Sequence, residues 1–187
     1  MTTQPNSRDA VTQSFPALES EQVHVLVLGT MPGVRSIETQ QYYAHARNAF
    51  WPIVVAFCEN RRPRDFSRAD SYEDRVARVT RTGIAVWDVL ARCERPGSLD
   101  SAIVRDSEVP NDLVGFAQRH PELERVVFNG KTAEHLFTRH VLKTDAGNSA
   151  FAHIALISAP STSPAMASLS LAQKYEHWSR ALGNPAI

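Results

Sequence analysis

A short segment of this 187-residue chain, AHARNAFW at 44–51, concentrates side chains that can do chemistry. His45 can take up or release a proton near neutral pH. The amide of Asn48 offers a donor and an acceptor without ionising. Both residues also have ordinary uses, because Asn often caps a helix that begins beside it and a single loop histidine is often structural. Residue types alone leave these alternatives open.

A glycine-flanked turn precedes that segment and can face a ligand with backbone N–H groups. It follows the apolar run VHVLVLG and consists of Gly29, Thr30, Met31, Pro32 and Gly33. Between the turn and the end of AHARNAFW lie Tyr43 and Phe50, whose rings offer flat surfaces for stacking. Phe50 also has the spacing of a core residue on the inner face of a helix. The loop of 29–48 is long for a connection in a compact domain and favours a site for a planar ligand.

Two further stretches carry polar groups that follow apolar runs. Asp88 stands near the end of GIAVWDVL, where it can bind a ligand, cap a turn or pair with Arg92. The stretch APSTSPA places small hydroxyls and free N–H groups in a loop, a composition that suits phosphate oxygens or an ordinary Pro/Ser turn. Its polar residues and the following proline are Ser161, Thr162, Ser163 and Pro164.

Alternating strands and helices must position these residues. The sequence predicts strands at 23–29, 83–90, 125–130 and 152–160, and helices from near Asn48, at 70–81, at 111–120 with Asn111 as cap, over 131–140 and at 169–182. Strands that alternate with helices indicate a three-layer α/β/α sandwich with a mainly parallel four-stranded central sheet. Sites in such sheets lie beyond the carboxyl ends of the strands, so the segments that follow the four predicted strands can converge at that end of the sheet.

Composition narrows the function classes. The net charge is zero, which lacks the basic excess of many nucleic-acid-binding domains, so any DNA contact must be local. Cys58 and Cys93 are too few for a four-cysteine zinc or iron-sulfur site, and no apolar run is long enough to span a membrane. We expect a polar, loose tail over 1–14 without a signal peptide, and one intracellular, cytoplasmic domain over 15–187. Seven arginines at 61–81 alternate with acids and favour a solvated helix face.

Two quoted motifs carry a family resemblance. LGTMPG with QQYYAHARNAFW, and APSTSPA, resemble the two signature motifs of the uracil-DNA glycosylase superfamily, and the match is closest to its hypoxanthine-DNA (deoxyinosine) glycosylase branch. The similarity extends from about Val23 to Trp178. Met31 stands where the mismatch-specific branch has its catalytic Asn, and Ala159 stands where many members have His or Asn. The deoxyinosine branch is understood to use the Asn of its RNxFW segment, which Asn48 matches.

The resemblance implies hydrolysis of a base from DNA after the base is flipped into a pocket, most often hypoxanthine, without a cofactor or metal. It makes Asn48 catalytic, with His45 as a general acid or phosphate donor. Phe50 would be the stacking floor and Tyr43 a second wall, and Asp88 would accept from N1–H of hypoxanthine while the 29–33 turn binds the base edge. DNA contacts would come from Arg47 and from residues 161–164, and we expect a monomer.

Other functions remain open from the sequence. The same fold could release uracil, xanthine or another damaged base, since pocket geometry decides the substrate. Met31 and Ala159 also motivate a non-catalytic module that binds damaged DNA. A serine hydrolase lacks its G-x-S-x-G elbow, and GTMPG is neither a dinucleotide fingerprint nor a Walker loop.

Overall fold

The central sheet contains four parallel strands, as the sequence predicts. The structure, a computed structural model, describes residues 11–67 and 69–183. Its strands are β1 (Val11–Gln13), β2 (Val25–Gly29), β3 (Ile84–Asp88), β4 (Leu90–Glu94), β5 (Val109–Pro110), β6 (Arg125–Asn129) and β7 (Ala155–Ala159). The sheet order is β3-β2-β6-β7, with every neighbouring pair parallel. Gly29, Asp88 and Asn129 therefore end three strands at the same edge.

Helices cover both faces of this sheet and complete the predicted three-layer sandwich. Their bounds are α1 (Val34–Thr39), α2 (Phe50–Cys58), α3 (Tyr72–Thr80), α4 (Leu113–Arg119), α5 (Lys131–Phe137), α6 (Asp145–Ala150) and α7 (Leu171–Leu182). Short 3₁₀ turns occupy Pro63–Asp65, Asp100–Ala102 and Arg105–Ser107, and a π-helical turn, Thr138–Leu142, extends α5. Helices α2, α3 and α7 pack on one face, and α4 and α5 pack on the other.

Strand β2 shows why two cores form. Leu26 and Leu28 belong to the core under α4 and α5, whereas Val25 and Val27 belong to the core under α2, α3 and α7. Successive side chains of a strand point to opposite faces, so an apolar run without alternation supplies both cores at once. The run VLVLG is buried throughout and fixes the strand in the centre of the sheet.

A second, three-stranded sheet was not predicted from the sequence. Strands β1, β4 and β5 form it in the order β1-β4-β5, with antiparallel pairs. The predicted strand 83–90 is therefore two strands, because the chain leaves the central sheet after Asp88 and re-enters pairing at Leu90. The predicted loose tail over 1–14 is wrong for 11–14, since Val11–Gln13 pairs with β4 and Ser14 N donates to Ala91 O at 2.8 Å. The rest of that prediction lies outside the described residues.

Local details differ from the prediction in two places. The 29–48 connection is not all loop, because it contains α1. Asp112, rather than Asn111, caps α4 by accepting from Gly115 N, while the Asn111 side chain donates to Asp88 O.

Within residues 11–67 and 69–183, no helix is long and apolar enough to cross a membrane, and no three His, Cys, Asp or Glu side chains group to hold a metal ion.

Candidate active site

A cavity of about 440 Å³ opens at the carboxyl ends of the strands. Gly29, Asp88 and Asn129, the last residues of three neighbouring strands, all line it. The loop after β7 closes a further side. A cavity of this size fits a small ring molecule, and its position is the one that a parallel sheet favours for a ligand.

Most of the residues that the sequence predicts for the site line this cavity. They are Gly29, Thr30, Met31, Pro32, Gly33, Tyr43, His45, Asn48, Asp88, Ser161, Thr162, Ser163 and Pro164. Two predicted residues do not line it, namely Phe50 and Arg47. The long connection after β2 and the loop after β7 therefore meet, as the strand-end argument predicts. Their contact includes a backbone hydrogen bond from Ala49 N to Thr162 O at 3.0 Å.

The predicted stacking floor needs correction. Phe50 is fully buried, and its ring packs edge-on against Trp51 and Trp178 as part of the core. Tyr43 stacks on the Phe50 ring with centroids 3.9 Å apart and planes 21° apart. Tyr43 lines the cavity and Phe50 does not, so Tyr43 is the ring of this stack that faces the cavity and Phe50 packs behind it.

Two polar groups converge beside Gly29. A Cβ on Gly29 would lie 2.4 Å from Asp88 Oδ1 and 2.9 Å from Tyr43 Oη. Such distances leave no room for a side chain, so glycine is required at this position for close approach. The Tyr43 hydroxyl is buried and has no hydrogen-bond partner among the described residues. An unpaired buried hydroxyl is costly, and a ligand in the cavity could satisfy it.

Asp88 is a buried carboxyl group rather than a surface ion-pair partner. Its residue is 3% exposed, and Ser14 Oγ donates to its Oδ2 at 2.7 Å. Burial raises the pKa of Asp88 to about 7, against the lowering effect of the Ser14 hydrogen bond. No ion pair with Arg92 occurs in the described part of the chain, so that alternative is not supported. Asp88 can change protonation state near neutral pH while facing the cavity.

Asn48 both contacts the start of α2 and lines the cavity. Its Oδ1 accepts from Phe50 N at 2.9 Å and so satisfies an N–H at the start of α2. The same side chain lines the cavity, and its Nδ2 has no partner among the described residues. With the oxygen engaged by the helix, the NH₂ group is the part of Asn48 that remains to bind a ligand or water.

His45 and Arg47 lie at the outer side of the site, where both are exposed. Arg47 N is 3.1 Å from His45 Nδ1. A backbone N–H can only donate, so Nδ1 accepts and the neutral ring carries its proton on Nε2. His45 can therefore donate from Nε2 at the cavity, whereas the position of Arg47 suits contact with a larger molecule outside it.

A buried arginine shapes the 29–33 turn, and sequence reasoning missed it. The Arg95 side chain is fully buried and donates to the carbonyl oxygens of Met31 and Pro32. Its Nη1 also lies 3.6 Å from Asp100 Oδ1. A charged group held this way fixes both carbonyls away from solvent and keeps the turn in one conformation. Arg95 follows β4, a strand that the sequence analysis did not identify, so no signal placed it near the turn.

The loop after β7 is fastened by Asn129, another residue that the analysis missed. Asn129 Nδ2 donates to Thr162 Oγ1 at 2.9 Å, and Thr162 N donates to Asn129 Oδ1 at 2.8 Å. Thr162 is 1% exposed, so its hydroxyl is occupied within the protein and is not free for DNA. Ser161, Ser163 and Pro164 keep partial exposure and remain candidates for such contacts. An Asn directly after VVF at a strand end was the available signal.

Fold and site together define the class of protein: an α/β/α sandwich with a cavity at its strand ends that polar groups and an aromatic ring line. The chain belongs to the uracil DNA glycosylase superfamily, a family model of which matches residues 15–182. It is therefore a DNA glycosylase, a hydrolase of N-glycosyl bonds. This confirms the assignment made from the two sequence motifs.

Known relatives agree with this assignment. The chain is 36% identical over 124 residues to a hypoxanthine DNA glycosylase of Methanosarcina acetivorans, covering 66% of this chain and 73% of that protein. It is 33% identical over 119 residues to a hypoxanthine DNA glycosylase of Methanosarcina barkeri, covering 64% and 71%. The solution NMR structure of a Methanosarcina acetivorans protein assigned to the uracil DNA glycosylases superposes with a TM-score of 0.70 at 28% identity, covering 91% and 95%. The fold prediction is thus confirmed.

Proposed function

We propose that this enzyme releases hypoxanthine from deoxyinosine in DNA and leaves an abasic site. The observation that carries the proposal is the buried Asp88 carboxyl group, which faces the cavity beside Gly29. The names of the two curated relatives support the same substrate. A flipped base has the size and flatness of the space in front of Tyr43.

Base recognition follows from the edge that deamination changes. Hypoxanthine has a proton on N1 and an oxygen at C6, whereas adenine has a bare N1 and an amino group. In the proposal, Asp88 Oδ1 accepts from N1–H and a backbone N–H of the 29–33 turn donates to O6. Adenine would place acceptor against acceptor and donor against donor, a mismatch that rejects a ligand strongly.

The reaction needs a held base, a water molecule and a donor for the leaving group. Tyr43 provides the stacking face, supported by Phe50. The bond from C1′ to the base nitrogen breaks with its electron pair on the base, where Asn48 Nδ2 and His45 Nε2 donate hydrogen bonds as negative charge develops. Water then adds to C1′ and gives up a proton, which ends on the released base. Asn48 thus takes the part that Met31 cannot perform. Ser161, Ser163, Pro164 and Arg47 would contact the DNA outside the cavity.

Single-turnover cleavage of matched oligonucleotides tests the proposal. The oligonucleotides contain deoxyinosine, deoxyuridine, deoxyxanthosine or only undamaged bases, and alkali reveals the abasic product. We expect cleavage at deoxyinosine and none at adenine. Asp88→Ala should lose about 10- to 100-fold in rate on deoxyinosine, because it removes a buried hydrogen bond to the base.

Folding of Asp88→Ala is checked by circular dichroism, and we expect it to be kept because burial disfavours the charge that the variant removes. Cleavage of deoxyuridine alone would keep the enzyme class and replace the substrate, since uracil shows the same N–H and C=O pattern. Binding of deoxyinosine DNA without any base release would favour the non-catalytic module instead. Unchanged cleavage in Asp88→Ala would exclude its role as the base reader.

A further inference from the structure

Strand β1 brings a residue of the N-terminal segment, Ser14, into the site. The pairing of Val11–Gln13 with β4 sets Ser14 beside the end of β3. Ser14 N donates to Ala91 O at 2.8 Å, which anchors its backbone. The hydroxyl of Ser14 then points at the carboxyl group of Asp88.

Hydrogen bonding around Ser14 defines which atom donates. Tyr42 Oη donates to Phe15 O at 3.0 Å, so the tyrosine proton is already used. Ser14 Oγ lies 3.3 Å from that Tyr42 hydroxyl and 2.7 Å from Asp88 Oδ2. The Ser14 proton therefore goes to Asp88 Oδ2. Asp88 Oδ1 accepts no hydrogen bond from the described residues and lies against Gly29 at the cavity.

We infer that Ser14 is a positioning residue for base recognition: its hydroxyl occupies Asp88 Oδ2 and leaves Oδ1 as the single acceptor that faces the flipped base. This inference rests on the proposed function, because it concerns how the same carboxyl group reads its substrate. It assigns a specificity role to a residue of the N-terminal segment that the sequence analysis did not place in the site.

In this arrangement the two protonation states of Asp88 present different groups to a base: an acceptor at Oδ1 when ionised and a donor there when protonated. The ionised group accepts at Oδ1, which matches N1–H of hypoxanthine and N3–H of uracil. While Ser14 donates to Oδ2, a proton taken up by Asp88 must sit on Oδ1. That proton would meet N1–H of hypoxanthine donor to donor, so the protonated enzyme is the inactive form toward deaminated bases.

Several groups around Asp88 determine its pKa and so the pH at which its protonation state changes. Burial raises the pKa of Asp88 to about 7, the Ser14 hydrogen bond lowers it, Asp100 raises it and Arg95 lowers it. Tyr42 and Tyr43 also lie beside it and stay neutral, because burial and the charge of Asp88 raise the pKa of both phenols. Removing the Ser14 donor must therefore raise the pKa of Asp88 and move the acid limb of activity to higher pH.

The test compares Ser14→Ala with wild type in single-turnover cleavage of deoxyinosine DNA from about pH 5 to about pH 9. If the pKa of Asp88 rises by about one, the ionised fraction at pH 7 falls about fivefold and the rate falls with it. Near pH 9 the two rates should agree within about twofold. Ser14→Thr keeps a hydroxyl and should retain the wild-type profile.

Ser20→Ala is the matched control. Ser20 lies in the same N-terminal segment, but its hydroxyl is within hydrogen-bond distance of Gln22 O and Thr80 O and donates to one of them, away from the cavity. We expect its pH profile to equal that of wild type. An acid limb that moves equally in Ser14→Ala and Ser20→Ala would show a general effect of the segment and overturn the inference.

A second readout separates this inference from the proposed function. Carbon-13 NMR of the Asp88 carboxyl group, assigned with Asp88→Asn, follows its titration in the free protein without any substrate. We expect a higher midpoint in Ser14→Ala. An unchanged midpoint overturns the role of Ser14 even if the wild type cleaves deoxyinosine. Absence of cleavage by the wild type, with a raised midpoint in Ser14→Ala, would overturn the proposed substrate and leave the positioning of Asp88 in place.

Discussion

Met31 and Ala159 stand where the motif resemblance implies polar catalytic groups, and the structure shows both as core residues. Met31 is 7% exposed and packs with the core under α4 and α5. Ala159 is 4% exposed and packs with the opposite core. Neither can activate water. Asn48 is the polar residue of AHARNAFW whose amide both lines the cavity and is held by the protein.

Asn48→Asp separates the chemistry of this residue from its contact with α2. The carboxylate keeps an oxygen for Phe50 N and suits a helix N-terminus, but it lacks the NH₂ donor. We expect a loss of about 10²- to 10³-fold in single-turnover rate on deoxyinosine, the size of effect that follows removal of one donor at a reacting centre. Thermal unfolding should show stability equal to that of wild type or slightly above it.

Asn48→Ala is the comparison for that variant. It removes both the donor and the oxygen, so it should lose similar activity and about 1 kcal/mol of stability. If Asn48→Asp were as active as wild type, the catalytic contribution would belong to the oxygen of the side chain rather than to its NH₂ group.

At the scale of secondary-structure elements, the apolar runs of the sequence predicted the strands of the central sheet. The four central strands were found because each is a largely apolar run, such as VHVLVLG, and three of them, β2, β3 and β6, are mostly buried in the sheet. Helix α7 was found because its apolar residues recur at helical spacing and Gly183 ends it. These elements were enough to bring the predicted stretches to one edge of the sheet.

The small second sheet could not be predicted by the same argument. Strand β1 has three residues and alternates exposed, buried and exposed, so its sequence resembles a polar tail. Its pairing with β4 depends on contacts distant in the chain, which local pattern does not encode. The positions of Ser14 and Arg95 follow from this sheet, and both were therefore missed.

Phe50 was misplaced for a related reason, because spacing cannot tell the outer ring of an aromatic stack from the inner one.

The hydrogen bonds between Asn129 and Thr162 hold the loop after β7 against the sheet, and Thr162→Val tests this. Valine keeps the shape but removes the acceptor of Asn129 Nδ2, leaving that donor unpaired. We expect a loss of about 1–3 kcal/mol in the free energy of unfolding, measured with urea. Hydrogen exchange of loop amides should speed up because the loop is less restrained.

Ser168→Ala provides the control for that variant. Ser168 lies in the same loop but is exposed, so its replacement should change the free energy of unfolding by no more than about 0.5 kcal/mol. Equal stability of Thr162→Val and wild type would mean that the loop is held by its other contacts, such as Ala49 N with Thr162 O.

At the scale of the whole molecule, the net charge is zero, so the protein as a whole has no strong electrostatic attraction to DNA and recognition must depend on the site itself. A strongly basic protein would bind DNA through many phosphates, and its affinity would depend steeply on salt. The cavity lies at the strand ends, so in the proposed function the base is held there and contacts with the DNA backbone are left to the exposed residues around its opening. Arg119 lies beside His120 and Glu19 at the opposite end of the strands, far from the cavity.

This arrangement predicts weak salt dependence with a local origin. With about two phosphate contacts, kcat/KM on deoxyinosine DNA should fall about tenfold between about 50 and 200 mM salt, while the saturated single-turnover rate stays nearly constant. Arg47→Ala should lower the slope of log kcat/KM against log salt by about one, since Arg47 is exposed beside the cavity and free to meet a phosphate. Arg119→Ala should leave the slope unchanged because Arg119 lies at the opposite end of the strands. Equal slopes for wild type and Arg47→Ala would remove Arg47 from the DNA contact surface and assign the remaining salt dependence to the backbone N–H groups and hydroxyls of the loop at 161–164.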